Sequence, residues 1–367
     1  MNRSSQKGGD GSTNVQAEQI IIHTGIDEKR AREIYHEMNL QLRSSYTEEA
    51  LTIAKQRVAE FEEQLLPKIE KVDGALQAFA DPSFQLLLAN AQRAAASTER
   101  KQDYDLLAEL MITRFQNGQN RVTRAGINLA VDIVDKISSE ALLGLTTVYA
   151  VNTFHPLSGE LDQGLDTLNG IFERLLYETL PIGQEWLDHL DVLGTVRLNE
   201  VSKLKSLSQF YSEIMHGYID VGIQKNSDAH TKALDILKAS NLPTDLLVDH
   251  ALCPDFVRLS ISNRQHLASA VMMSNIVKDG ITTTIPNPLN DNQKIALNSI
   301  YDLYSQDGKA KTNNLQLFEK ELDKRPTLKT LNEWWSSIPT GITITSVGKV
   351  LAHSNAQRCD NTLPKFK

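Results

Sequence analysis

The sequence predicts a mainly α-helical protein: a multi-helix bundle with an N-terminal β-strand segment and at most one small β patch near the C-terminus. Three observations carry this. Apolar residues recur at spacings of three and four through most of the chain. Polar capping residues stand ahead of those runs, and Pro and Gly punctuate their ends. Runs with β-propensity are few: the segment ending Ile20-Ile21-Ile22, and the short Ile281–Ile285 and Ile342–Thr345.

The chain opens with Gln6–His23, where a Gly8-Gly9-Asp10-Gly11 turn leads into Ser12, Thr13, Asn14, Val15, Gln16, Ala17 and the isoleucine triplet. The glycines supply positive φ cheaply, and the amides suit stacked identical strands. A lone strand must pair its backbone groups somewhere. In a helical chain the expected partner is the same segment of another copy. Residues 1–24 are therefore read as an oligomerisation segment, with Gly8, Gly9, Asp10, Ser12, Asn14, Val15, Gln16, Ala17, Ile20, Ile21 and Ile22 as its contacts. Two alternatives stand beside it: a frayed terminus, and pairing with one of the two later Ile/Thr runs.

From Asp27 the period becomes helical. The strongest seam is Leu51, Ala54, Val58, Phe61 and Leu65, continued after one slip by Ile69, Val72, Leu76 and Phe79, with Thr47 as its cap. Such a seam suits coiled-coil pairing between copies or packing along its own domain, and Pro67 and Gly74 bend or break it. Further helices are expected from Pro82 to Ser97, over residues 103–116, and over Arg121–Ile137, Ser139–Asn152 and Leu161–Leu180. The apolar Ser139–Asn152 belongs at the centre of the core. Pro181 and Gly183 suggest a division into an N-terminal helical domain, 25–182, and a C-terminal one, 183–367. The second half reads as helices over Asp228–Ser240, Pro243–Ala251, Asn263–Val277, Asn292–Tyr304, Asn314–Leu322, Thr327–Ser336 and Ser346–Asn355, with Pro286–Asn290 as a breaker.

Charge and composition narrow the function classes. Net charge is 38 − 46 = −8, which argues against a broad electrostatic grip on nucleic acid or an anionic membrane. Cys253 and Cys359 are isolated, so neither a disulfide framework nor a metal site follows and a reducing cytoplasm is expected. The start has no apolar core of a secretory signal, and no run approaches the roughly 20 apolar residues that cross a bilayer. Phosphate-binding, dinucleotide and zinc-hydrolase motifs are absent, so no cofactor is expected. The weak functional candidates are His189 beside Asp188 and Asp191, His216 in an aromatic-rich stretch, Arg264 and His266, and the C-terminal His353 and Asn355. The Arg264–His266 pair is similar to the Arg…His pairs of helical ribonucleases. For the last two, capping and terminal carbonyls give a structural explanation.

At the two ends the chain resembles an uncharacterised bacterial all-helical family. The shared residues are Gly8-Gly9-Asp10-x-Ser12-x-Asn14-x-Gln16-Ala17, Tyr104-Asp105-Leu106-Leu107 to Arg114, and Thr345-x-x-Gly348-x-x-x-Ala352-His353-x-Asn355. The resemblance carries no catalytic residues. Similar openings precede effector modules in bacterial conflict systems, which implies phage defence or stress sensing by association. The expectation is a non-enzymatic, self-assembling scaffold or sensor whose partners are copies of itself, another defence-system protein or a phage component. A helical nucleic-acid-cleaving enzyme and an assembly-activated membrane disruptor are the rivals.

Overall fold

The computed structural model describes residues 27–42, 47–199, 201–278 and 281–366. The proposed N-terminal strand and its contacts, Gly8 to Ile22, lie outside the described residues. Helices dominate the rest, and no described helix is long and apolar enough to cross a membrane.

The larger of two cores is built by α1 (Glu28–Leu42), α2 (Glu48–Glu70), α3 (Pro82–Ser97), α4 (Lys101–Asn117), α5 (Arg121–Ile133), α6 (Ser139–Thr153), α7 (Leu161–Leu175), α8 (Glu185–Val192) and α9 (Leu207–Ile214). Three C-terminal helices complete it: α12 (Gly308–Asp323), α13 (Pro326–Ser337) and α14 (Ser346–Cys359). Local chemistry starts these helices where the sequence predicts. Thr47, Asp81, Asn120, Ser138 and Thr345 each accept a backbone N–H as N-cap. Pro82 sits at the start of α3, where its missing N–H costs nothing. α6 is buried on every side from Ala141 to Val151, and α14 packs against α4, α5 and α6. This core takes side chains from both sides of residue 182.

The seam on α2 has a use within one chain. Ala54, Val58, Phe61 and Leu65 are buried against α3 and α4, Leu51 is half-buried, and the Tyr35 hydroxyl donates to the Val58 carbonyl at 2.8 Å. The helix does not run on to Phe79. It ends at Glu70, and Gly74, at φ 75°, turns the chain into a 3-10 turn over Ala75–Ala80.

Between α9 and α12 the chain leaves this body to form an insert with its own core of Ile223, Ala233, Leu237, Val257, Leu259, Leu297 and Ile300. Its elements are β2 (Ile223–Gln224), α10 (Asp228–Ala239), β3 (Leu247–Asp249), β4 (Phe256–Leu259), β5 (Val271–Lys278), β6 (Ile281–Pro288) and α11 (Asp291–Tyr301). With β1 (Val196–Asn199) and β7 (Gly341–Ile344) in the body, the strands make three small sheets: β1–β7, β2–β4–β3 and β5–β6.

That corrects three sequence expectations. One β patch becomes three. The helix expected over Asn263–Val277 is a 3-10 turn, Arg264–Ser269, followed by strand β5. The helix expected over Pro243–Ala251 is a 3-10 turn, Thr244–Leu246, followed by strand β3. The two Ile/Thr runs lie in separate sheets. Ile281–Ile285 falls in β6, paired with β5 in a register from Val271↔Pro288 to Lys278↔Ile281, and Gly341–Ile344 pairs with Val196–Asn199. Pro286 and Pro288 extend β6 instead of breaking it, because each strand of a two-stranded ribbon has an edge that needs no N–H.

Candidate functional site

Where the insert meets the body, the contacts are polar and buried. Arg258 on β4 is 1% exposed; it donates to the Leu259 carbonyl at 2.9 Å, donates to the Gly159 carbonyl of the body, and stands over the Tyr218 ring. Burial pushes its guanidinium below its ordinary value. The Ser262 hydroxyl donates to the Pro156 carbonyl, Gly217 N–H donates to the Ser262 carbonyl, and the Asn263 amide donates to the Ile214 carbonyl. His250 donates from Nε2 to the Asp220 carbonyl at 2.8 Å and accepts Leu252 N–H on Nδ1. The Asn314 amide, on α12, donates to the Ile219 carbonyl. Unpaired, each of these buried groups would cost about 1–3 kcal/mol, so the seam is held in one register.

Two cavities open at this seam. One, of roughly 230 Å³, is lined by His216, Asp220, Arg264, Tyr301, Tyr304 and Lys311 with the 305–308 turn. The His216 Nδ1 lies 2.6 Å from an Asp220 oxygen, while Nε2 accepts the Arg264 backbone N–H at 3.2 Å. Nδ1 is therefore the donating nitrogen. The other Asp220 oxygen takes Lys311 Nζ at 2.7 Å. Burial alone would raise the Asp220 carboxyl, but the hydrogen bonds from His216 and Lys311 outweigh it and hold it below the ordinary carboxylate range. Arg264 donates to the Asn298 side chain and carbonyl and to Asp302, and lies over the Tyr301 ring at 5.2 Å. The second cavity, of roughly 270 Å³, is mostly apolar, with Leu157, Leu246, Ile261, Leu289 and Leu297 around Ser260 and His266. Burial lowers His266 from its ordinary value.

Three of the six sequence candidates thus meet at the seam: His216, Arg264 and His266. The others lie elsewhere. His189 accepts the Ser138 N–H at the start of α6. His353 lies inside the body, its Nδ1 3.2 Å from the Tyr149 hydroxyl, with Phe154 and Phe366 rings around it. Asn355 donates to Thr146 and accepts from Arg358. Among the described residues no group of three or more His, Cys, Asp or Glu is placed to hold a metal ion. Sequence reasoning passed over Asp220, Lys311, Tyr301, His250 and Arg258. Asp220 was within reach, four residues after His216, and Arg258 stood out as a charge inside the apolar run Phe256-Val257-Arg258-Leu259. Lys311 and Tyr301 carried no local signal.

A family model whose members are uncharacterised matches residues 25–364, a span that begins after the glycine-rich opening. No curated protein and no solved structure matches the chain.

Proposed function

The chain belongs to the uncharacterised family matched over residues 25–364, and from that starting point we propose that it is a non-enzymatic, self-assembling sensor or scaffold of a bacterial phage-defence or stress system. One observation supports the non-enzymatic part. The His216 imidazole in the cleft is spent on its neighbours. A general base needs a free nitrogen within reach of a substrate proton. Both His216 nitrogens are engaged, one by Asp220 and one by the main chain of Arg264. The bond from Arg264 joins insert to body, which suits a part that transmits a change of shape. The defence setting comes from the resemblance of the opening segment to those ahead of conflict-system effectors. Self-assembly rests on that segment, since the α2 seam is covered within one chain.

Two measurements on the purified full chain test this. Light scattering is expected to give a mass above that of a monomer, falling when residues 1–23 are removed. Nuclease assays on RNA and DNA are expected to show no cleavage. Cleavage that disappears in His216→Ala or His266→Ala would replace the scaffold by a helical nuclease, for which the Arg264–His216–His266 convergence is the observation in favour.

A further inference from the structure

The His216 cleft has hydrogen-bond donors left over. Asp220 is taken by His216 and Lys311, and Asp307 by the backbone N–H groups of Lys309 and Ala310. The donors are less committed. Lys311 is half-exposed and uses one contact, to Asp220, of the three its ammonium can make. Arg264 bonds through Nε and Nη2 to Asn298 and Asp302, and among the described residues Nη1 makes no hydrogen bond. Tyr301 lines the same cleft, is 5% exposed, and its hydroxyl, buried, makes no hydrogen bond among the described residues. A buried hydroxyl without a partner is costly, so it marks a place where something accepts from it. A guanidinium, an ammonium and a phenol around a space of roughly 230 Å³ call for a ligand rich in acceptor oxygens.

We propose that this cleft binds the phosphate group of a small molecule, with Arg264, Lys311 and Tyr301 as its donors. The inference rests on the sensor reading and supplies its ligand class. Phosphate fits because its oxygens can accept from all three donors at once. The cleft exceeds what a bare phosphate fills, which leaves room for a group attached to it.

The test is calorimetric titration of the full chain with inorganic phosphate and with adenosine monophosphate, followed by phosphorus NMR of each mixture. Saturable binding is expected for at least one probe. A tighter value for the nucleotide means the attached group contributes; equal values mean the anion alone is read. Lys311→Met and Arg264→Gln should each weaken binding by about tenfold, the worth of one charge-assisted contact. Tyr301→Phe keeps the ring under Arg264 and removes only the unpaired hydroxyl. It should leave the denaturation midpoint unchanged or higher while weakening binding, a combination a purely structural role does not give. Absence of saturable binding at millimolar probe, or equal affinity in all three variants, overturns the site and leaves the scaffold standing. A bound nucleotide whose phosphorus signal changes to that of a product keeps the site and overturns the non-enzymatic reading.

Discussion

Two imidazoles sit inside the protein, His250 at the seam and His353 between Tyr149, Phe154 and Phe366, at 2% and 3% exposure. Burial brings each down to about 4, from an ordinary value near ~6.5. An unfolded chain takes up both protons as pH falls below ~6.5, whereas the folded chain resists until about pH 4. Between those limits the unfolded state binds more protons, so stability rises with pH. The contribution is fully present above the unfolded value and is lost as pH falls through the folded one, by up to about 3 kcal/mol per imidazole. Denaturant midpoints are expected to hold steady from neutrality upward and to drop across the window below. His353→Gln, which can keep a bond to the Tyr149 hydroxyl, should flatten part of that drop. A midpoint equally steep in the variant would contradict the account.

At the scale of the element, α2 and β5 mark what the sequence made legible. The apolar spacing on α2 was plain, and so were the caps of α2, α3 and α14, because both are set within a few residues. What the α2 seam faces was not. A stripe of Ala54, Val58, Phe61 and Leu65 looks the same whether a second copy or the chain's own α3 and α4 covers it. Phe61→Ala is expected to cost about 3–5 kcal/mol of stability in chemical denaturation without changing the particle mass. A change of mass at unaltered stability would return the seam to the surface. β5 was misread because Val271-Met272-Met273-Ser274-Asn275-Ile276-Val277 gives no clean period, and short apolar runs are ambiguous between strand and helix. The Asp279-Gly280 pair between two β-prone runs was the available hairpin signal. The site was half legible for a related reason: its histidines and Arg264 belong to residue types that invite scrutiny. Lys311 enters only because the chain returns from the insert beside the place it left.

At the scale of the molecule, that return organises everything. Ser305 N–H donates to the Gly222 carbonyl at 2.7 Å, so the two crossings between body and insert lie side by side. Gly222 takes φ 80°, a conformation other residues adopt at a cost. Joining Gly222 to Ser305 in place of the insert is expected to leave a folded body, with its helical circular dichroism retained and a lower melting temperature. The lower value reflects loss of the contacts made by Leu252, His250 and Arg258. Collapse of the helical signal would show that the body depends on the insert for its fold.

The side-by-side crossing also sets an order of events. Helices α9 and α12 pack together, yet the whole insert is threaded between them. Closing so long a loop by chance is slow, since its ends must find each other before any contact rewards the search. A chain emerging from the ribosome N-terminus first finishes the insert before α12 exists, and domains commonly fold as they appear. Once the insert has condensed, its two ends are already neighbours and the loop is short. The last three helices of the body then assemble on a gap closed in advance, and the insert serves, for one moment in the protein's life, as the clasp that delivers α12 to α9.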